Sequence, residues 1–318
     1  MNNWKLIMIS ILAVFATTAC NNTAKPTEPK AVTKYTTYTG QLSVVADNSL
    51  QSIIKQQEEI FDFVYDSVET TLTYETEKQM FADFRTKKAT VMLLSRKLAQ
   101  SEINDFKNID TIYIREQPVA YDAVALVAGK SFDDRQLDMA LLKSYFAPNA
   151  TSNTTPKLVF ENRESSTVRF VVETLGYKEK VSPNVFALKS VQEVLDYVAA
   201  NPNVIGFIPY NTISDQDDER VKKTLENVKI LSLRTQTKDG NTLRVSANQS
   251  DIAAGDYPLI RTINAVTRFT YVDNLELLFI GFLGKEKGAK IFLKAGLMPV
   301  KSPERDIIVN ESEVRGSK

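Results

Sequence analysis

The stretch 41–94, QLSVVADNSLQSIIKQQEEIFDFVYDSVETTLTYETEKQMFADFRTKKATVMLL, decides the fold class. Residues 41–46 form a short β-rich run that ends in Asp47-Asn48-Ser49, side chains suited to capping a helix. Leu50, Ile53, Ile54, Ile60 and Phe61 then recur at helical spacing, which predicts a helix over 50–63. The β-branched run 68–74 predicts a strand, and 77–86 a helix with Met80, Phe81 and Phe84 on one face. Residues 89–94 are continuously apolar, as expected of a strand covered on both sides. Strand, helix, strand, helix, strand is the order of a doubly wound α/β sheet.

Outward toward the C-terminus the alternation continues. Strands are expected at 109–114, 118–128, 157–160, 203–208 and 263–271, with Gly206 inside the fourth. Helices are expected at 132–147, 168–175, 191–199, 275–283 and 286–295, the last closed by Gly296. The polar segment 213–227 reads as a loop and a surface helix. Residues 228–235 and 242–245 read as a hairpin around Lys238-Asp239-Gly240.

Toward the N-terminus the character changes. Lys5 precedes an apolar run over 6–15, about half the roughly 20 residues needed to span a bilayer. Ala16-Thr17-Thr18-Ala19 then leads into Cys20, a pattern that resembles a bacterial lipoprotein signal. Residues 1–19 are expected to be removed, Cys20 lipidated, and the Asn-, Thr-, Pro- and Lys-rich stretch 20–38 a flexible tether. This places the protein in the cell envelope, facing the periplasm, with either membrane open as its anchor.

Composition narrows the chemistry. Among 318 residues there is no histidine, which excludes histidine triads and histidine-bearing zinc sites. Cys20 is the single cysteine, so no intrachain disulfide can form. Lys+Arg and Asp+Glu both number 39, which gives no basic field for nucleic acid. Neither a metal nor a cofactor is expected. Gly129-Lys130-Ser131 echoes a phosphate-binding loop but has Val124 where the loop needs glycine. Ser52-Ile-Ile-Lys55 matches a serine–lysine hydrolase pattern without its companion tripeptides.

More informative are two hydroxyl or amide clusters between a strand and a helix, Asp47-Asn48-Ser49 and Ser165-Ser166-Thr167. The first turn of a helix presents unpaired N–H groups and the positive end of its dipole, so two such starts converging would make an anion pocket. Arg96, Arg163 and Arg169 could add charge. Each cluster alone is equally readable as a helix cap.

Five segments together resemble the PstS-type phosphate-binding proteins of ABC importers. Pro118-Val-Ala-Tyr-Asp-Ala-Val-Ala-Leu-Val127 resembles that family's first crossover strand, and Tyr257-Pro-Leu-Ile-Arg261 its return. The stretch 161–167 resembles its serine-glycine-threonine helix start; Val204-Ile-Gly-Phe-Ile208 and Gly288-Ala-Lys-Ile-Phe-Leu-Lys-Ala-Gly-Leu-Met-Pro299 complete the match. The resemblance implies a two-lobe type II periplasmic-binding-protein fold, each lobe a doubly wound sheet flanked by helices, joined by two crossover strands. Residues 39–118 with 250–318 would form lobe 1, and 119–249 lobe 2. It further implies that Asn48, Ser49, Leu50, Thr76, Ser95, Arg96, Arg163, Ser165, Ser166 and Thr167 bind the ligand. The chain departs from the family at three points: Glu161 stands where an arginine is expected, Ser166 where a glycine is, and Arg96 where an aspartate accepts the phosphate proton.

The expected function is capture of inorganic phosphate or a similar oxyanion and its delivery to an ABC-transporter permease by a monomer, with no bond broken. The alternative is an envelope interaction or sensor protein that keeps the fold without phosphate binding. A Ser52–Lys55 hydrolase is the third reading.

Overall fold

The computed structural model describes residues 38–110, 114–151, 155–177, 181–236, 240–268 and 274–303. The expectations for the signal segment, Cys20 and the tether lie outside the described residues, as do Lys238 and Asp239.

The first half of the chain alternates as its apolar pattern dictates: β1 (Gly40–Asp47), α1 (Gln51–Val64), β2 (Val68–Glu75), α2 (Glu77–Arg85), β3 (Val91–Leu94), α3 (Gln100–Asp110) and the long β4 (Ile114–Gly129). Then come α4 (Met139–Phe146), β5 (Lys157–Phe160), α5 (Ser166–Thr174), β6 (Val185–Ala187), α6 (Val191–Ala200), β7 (Val204–Pro209), α7 (Glu219–Asn227) and β8 (Val228–Ile230). The chain closes with the β9 (Ser232–Gln236) and β10 (Thr242–Ser246) hairpin, α8 (Gln249–Ala254), β11 (Ile260–Arg268), α9 (Leu275–Gly284), α10 (Glu286–Lys294) and β12 (Met298–Pro299).

The main sheet runs β2-β1-β3-β11-β4-β7-β5-β6, with β8 and β12 also on β4. Its two ends are parallel, β1 with β2 and β3, and β5 with β6 and β7. They are joined through antiparallel β4 and β11. β4 pairs with β11 from Ile114 to Ala123 and with β7 from Val124 to Val127, so one strand serves both parallel systems. At the change of partner, Val124 N–H donates to the Leu259 carbonyl at 2.9 Å, and the Tyr257 hydroxyl donates to the Val124 carbonyl at 2.8 Å. This is the two-lobe α/β fold with crossover strands that the sequence led one to expect.

Packing follows from the pattern. β3 and β7 are buried along their whole length, as continuous apolar strands under helices must be. Gly206 lets α6 lie close on β7, because a Cβ there would stand 2.7 Å from a Val194 methyl. Helix α9, apolar almost throughout, is wedged against α1, with the Phe61 ring edge-on to Phe279 at 4.9 Å. Gly296 ends α10 at φ +79, a left-handed value natural to glycine.

Three expectations need correction. Residues 109 and 110 close α3 rather than open a strand, since 100–110 alternates too weakly in hydrophobicity to advertise a helix. The helix placed at 132–147 is confined to α4, because Asp138 caps it through the Leu141 N–H at 2.8 Å. The first arm of the hairpin is divided: β8 joins β4, and only β9 pairs with β10.

Candidate functional site

A cavity of about 540 Å³ opens at the carboxyl ends of β1, β2 and β5, where strands hand the chain to helices and where ligands of open α/β sheets bind. Its walls are helix starts. Asn48, Ser49, Gln51 and Ser52 lead into α1, Thr76 and Glu77 into α2, Ser165 and Ser166 into α5, and Ser190, Val191 and Gln192 into α6. Ser165 caps α5 through the Val168 N–H and Ser190 caps α6 through the Glu193 N–H. Leu50 and Thr76, the residues before α1 and α2, form no side-chain cap. Four helix dipoles therefore bring their positive ends to one space.

Beneath the cavity a hydrogen-bonded chain fixes these starts against each other. Asp47 accepts the Ser49 N–H at 2.9 Å with one carboxylate oxygen and the Ser95 hydroxyl at 2.8 Å with the other. The Ser166 hydroxyl donates to the Ser49 hydroxyl at 3.0 Å, linking the starts of α5 and α1 directly. The Asn211 amide donates to the Ser49 carbonyl at 2.8 Å and to Asp122 at 3.0 Å. Arg261 pairs with Asp122 at 2.8 Å, both side chains at most 1% exposed, and reaches Ser166 at 3.4 Å.

The arginines do not line the cavity. Arg96 is gripped by Glu77 and Glu102 at 2.9 and 2.8 Å; burial works against its charge, but those bonds outweigh it and hold the guanidinium more firmly protonated than usual. Arg169 donates to the same Glu77 at 2.8 Å, so α5 is tied to α2. Arg163 is exposed, away from the walls. Lys189 is the basic residue on the lining.

Five carboxylates border the space: Asp47, Glu75, Glu77, Glu161 and Glu164. Glu77 is offset by Arg96 and Arg169, and Asp47 is spent on Ser49 and Ser95. Glu161 is different. It is 7% exposed, and neither carboxylate oxygen has a hydrogen-bond partner. Burial pushes its pKa up from the ordinary 4.5, while Thr167, its own backbone N–H, Ser165 and the charge of Arg261 pull it partly back.

Of the residues named from sequence, Asn48, Ser49, Thr76, Ser165 and Ser166 come together on the walls. Leu50 and Thr167 are fully buried beneath them, Ser95 supports Asp47, and Arg96 and Arg163 stand apart. The start of α6 escaped the sequence reading. Its signal was a capping box, Ser190 with Glu193, the Glu193 carboxylate accepting the Lys189 N–H at 3.1 Å. Lys55 bonds Glu58 at 3.3 Å rather than activating Ser52.

The family pattern of the PBP superfamily domain matches residues 31–290. Solved structures agree in fold. One from Clostridium perfringens, assigned as a phosphate ABC transporter substrate-binding protein and holding phosphate, is 20% identical, with a TM-score of 0.64 over 82% of this chain and 100% of its own. An ABC-type phosphate transport receptor from Vibrio cholerae is 16% identical, with a TM-score of 0.63 over 82% of this chain and 100% of its own. PstS from Borrelia burgdorferi is 16% identical, with a TM-score of 0.54 over 82% and 99%. No curated protein sequence matches the chain.

Proposed function

Because the chain belongs to the PBP superfamily, we propose that it is a solute receptor of the cell envelope that holds a small oxyanion-bearing ligand between two lobes and passes it to an ABC-transporter permease. The observation that carries this reading is the meeting of four helix starts on one cavity, a supply of N–H donors and positive dipole ends without a metal. Lobe 1 comprises 39–118 and 250–318, lobe 2 comprises 119–249, and Cys20 carries the lipid that tethers a monomer to the membrane. Ligand contacts come from Asn48, Ser49, Thr76 and Ser165, with Leu50, Ser166 and Thr167 contributing backbone and support. Closure of the lobes dehydrates the ligand, and opening by the permease releases it.

Isothermal titration of the mature protein with phosphate, sulfate and small organic anions tests the reading. Saturable binding of at least one is expected; no heat from any would overturn it. A second reading is a protein that keeps the fold but senses or contacts another envelope component; the direct Ser49–Ser166 bond, which ties the two helix starts to each other, supports it. Mass spectrometry of the natively purified protein separates the two, since a receptor for a scavenged solute arrives partly occupied.

A further inference from the structure

Glu161 poses a charge problem that an inorganic oxyanion does not solve. Its carboxylate is buried on the cavity wall with both oxygens unpartnered, at the very start of the loop into α5. Arg261, whose charge reaches Glu161, gives three of its five N–H donors to Asp122 and Ser166. Asp122 is itself wholly buried, so two buried acids share one guanidinium. An uncompensated carboxylate in such surroundings is costly, and either a proton or a cationic partner relieves it. A second acceptor on the same wall, Glu75 Oε2, is also buried without a partner.

Size points the same way. A tetrahedral oxyanion displaces the volume of only two or three waters, at about 30 Å³ each. The cavity measures about 540 Å³, in the range of organic ligands. Among the described residues no three acidic side chains are grouped as metal ligands, which leaves an organic cation as the better match for dispersed carboxylates. Meanwhile the start of α2, without a side-chain cap, and Lys189 remain fitted to negative charge.

We propose that the cleft takes a small zwitterion, its oxyanion set against the helix starts and its ammonium against Glu161. The proposal rests on the cleft being a ligand site, as argued above, and names the class of ligand.

Matched pairs test it by calorimetry on the mature chain: 2-aminoethylphosphonate against ethylphosphonate, and taurine against ethanesulfonate, with inorganic phosphate and sulfate as bare oxyanions. The ammonium member of at least one pair should bind about tenfold or more tighter than its partner, the scale of one charge-assisted hydrogen bond. Glu161→Gln should shrink that ratio to about twofold, since a neutral amide loses the charge assistance. Equal affinities within both pairs, or tighter binding of bare phosphate, would overturn the zwitterion while leaving the oxyanion receptor intact. Binding of none of the six probes would overturn both. The ligand pairs decide the matter on the unaltered protein even if the variant folds poorly.

Discussion

At the scale of single residues, two buried side chains on the lining of this cleft, Glu161 and Ser166, each make a prediction. Glu161 is buried on the cavity lining, and its raised pKa fixes the sign of a stability effect. A carboxyl that binds its proton more tightly when folded stabilises the fold below the ordinary value of 4.5, and that contribution is lost as pH rises through the folded pKa. Unliganded protein should therefore lose stability between mildly acidic and neutral pH relative to Glu161→Gln. At pH 7 the variant should be more stable by about 1–3 kcal/mol, the cost of an unsatisfied buried polar group. Urea melts of both proteins from pH 4.5 to 8 check it, and parallel curves would show Glu161 to be ionised and satisfied throughout. The Ser166 hydroxyl donates to Ser49 and accepts from Arg261. Ser166→Gly removes that hydroxyl from between the helix starts and opens the backbone N–H groups at the start of α5 to a ligand. Oxyanion affinity should rise about fivefold, on the order of one neutral hydrogen bond. Calorimetry with the best-binding probe reads this, and weaker binding would mean that the Ser166 hydroxyl itself serves the ligand.

At the scale of elements, the alternation of strands and helices was legible because each strand is a short apolar run and most helices carry one apolar face. β3 and β7 announce themselves as buried without reference to anything else. What could not be read was register and convergence. β4 looks like one strand in sequence, yet its change of partner between Ala123 and Val124 depends on the approach of 257–259, more than a hundred residues later. The same limit applies to the site. The hydroxyl clusters before α1 and α5 could be seen as helix caps, but the start of α6 could be placed on the same cavity only in three dimensions. Arg96 looked like a ligand in sequence because Glu77 and Glu102, which consume it, belong to α2 and α3. Gly206 gives a test at this scale. A Cβ there would stand 2.7 Å from Val194 and 2.9 Å from Val127, both side chains packed between α6 and β4. Gly206→Ala should cost about 1–3 kcal/mol through overpacking, whereas Gly255→Asn, at an exposed helix end with φ +76 and open space, should stay within about 1 kcal/mol. Equal losses in denaturant melts would show that β7 shifts to accommodate the methyl.

At the scale of the whole molecule, the question is what holds the two lobes together when no ligand does. Arg169 on α5 reaches Glu77 on α2 at 2.8 Å, Ser166 reaches Ser49 at 3.0 Å, Asn211 reaches Ser49 at 2.8 Å and Arg261 pairs with Asp122 at 2.8 Å, so the proposed lobes are tied by a partly exposed ion pair, a buried one and buried neutral bonds. The Arg169 side chain is 29% exposed and Glu77 17%, which keeps the ionic contribution near that of a partly solvated pair, about 0.2–1 kcal/mol. Of these contacts the Arg169–Glu77 pair is the one most open to solvent, so it is the one whose loss should ease opening without harming the fold. In Arg169→Ala, Glu77 still keeps Arg96, so α2 retains its anchor and the fold should melt as the unaltered protein does. The lobes, however, lose their partly exposed ionic latch. Small-angle scattering of the unliganded variant should give a larger radius of gyration than the parent, and salt should shift the parent toward the variant by screening the same pair. Ligand affinity should fall by no more than about fivefold, since the removed bond favours closure without touching the ligand. A scattering profile insensitive to both the substitution and salt would assign closure to the buried Ser49–Ser166 and Asn211–Ser49 contacts, and the hinge would then have to break two desolvated hydrogen bonds at every cycle of capture and release.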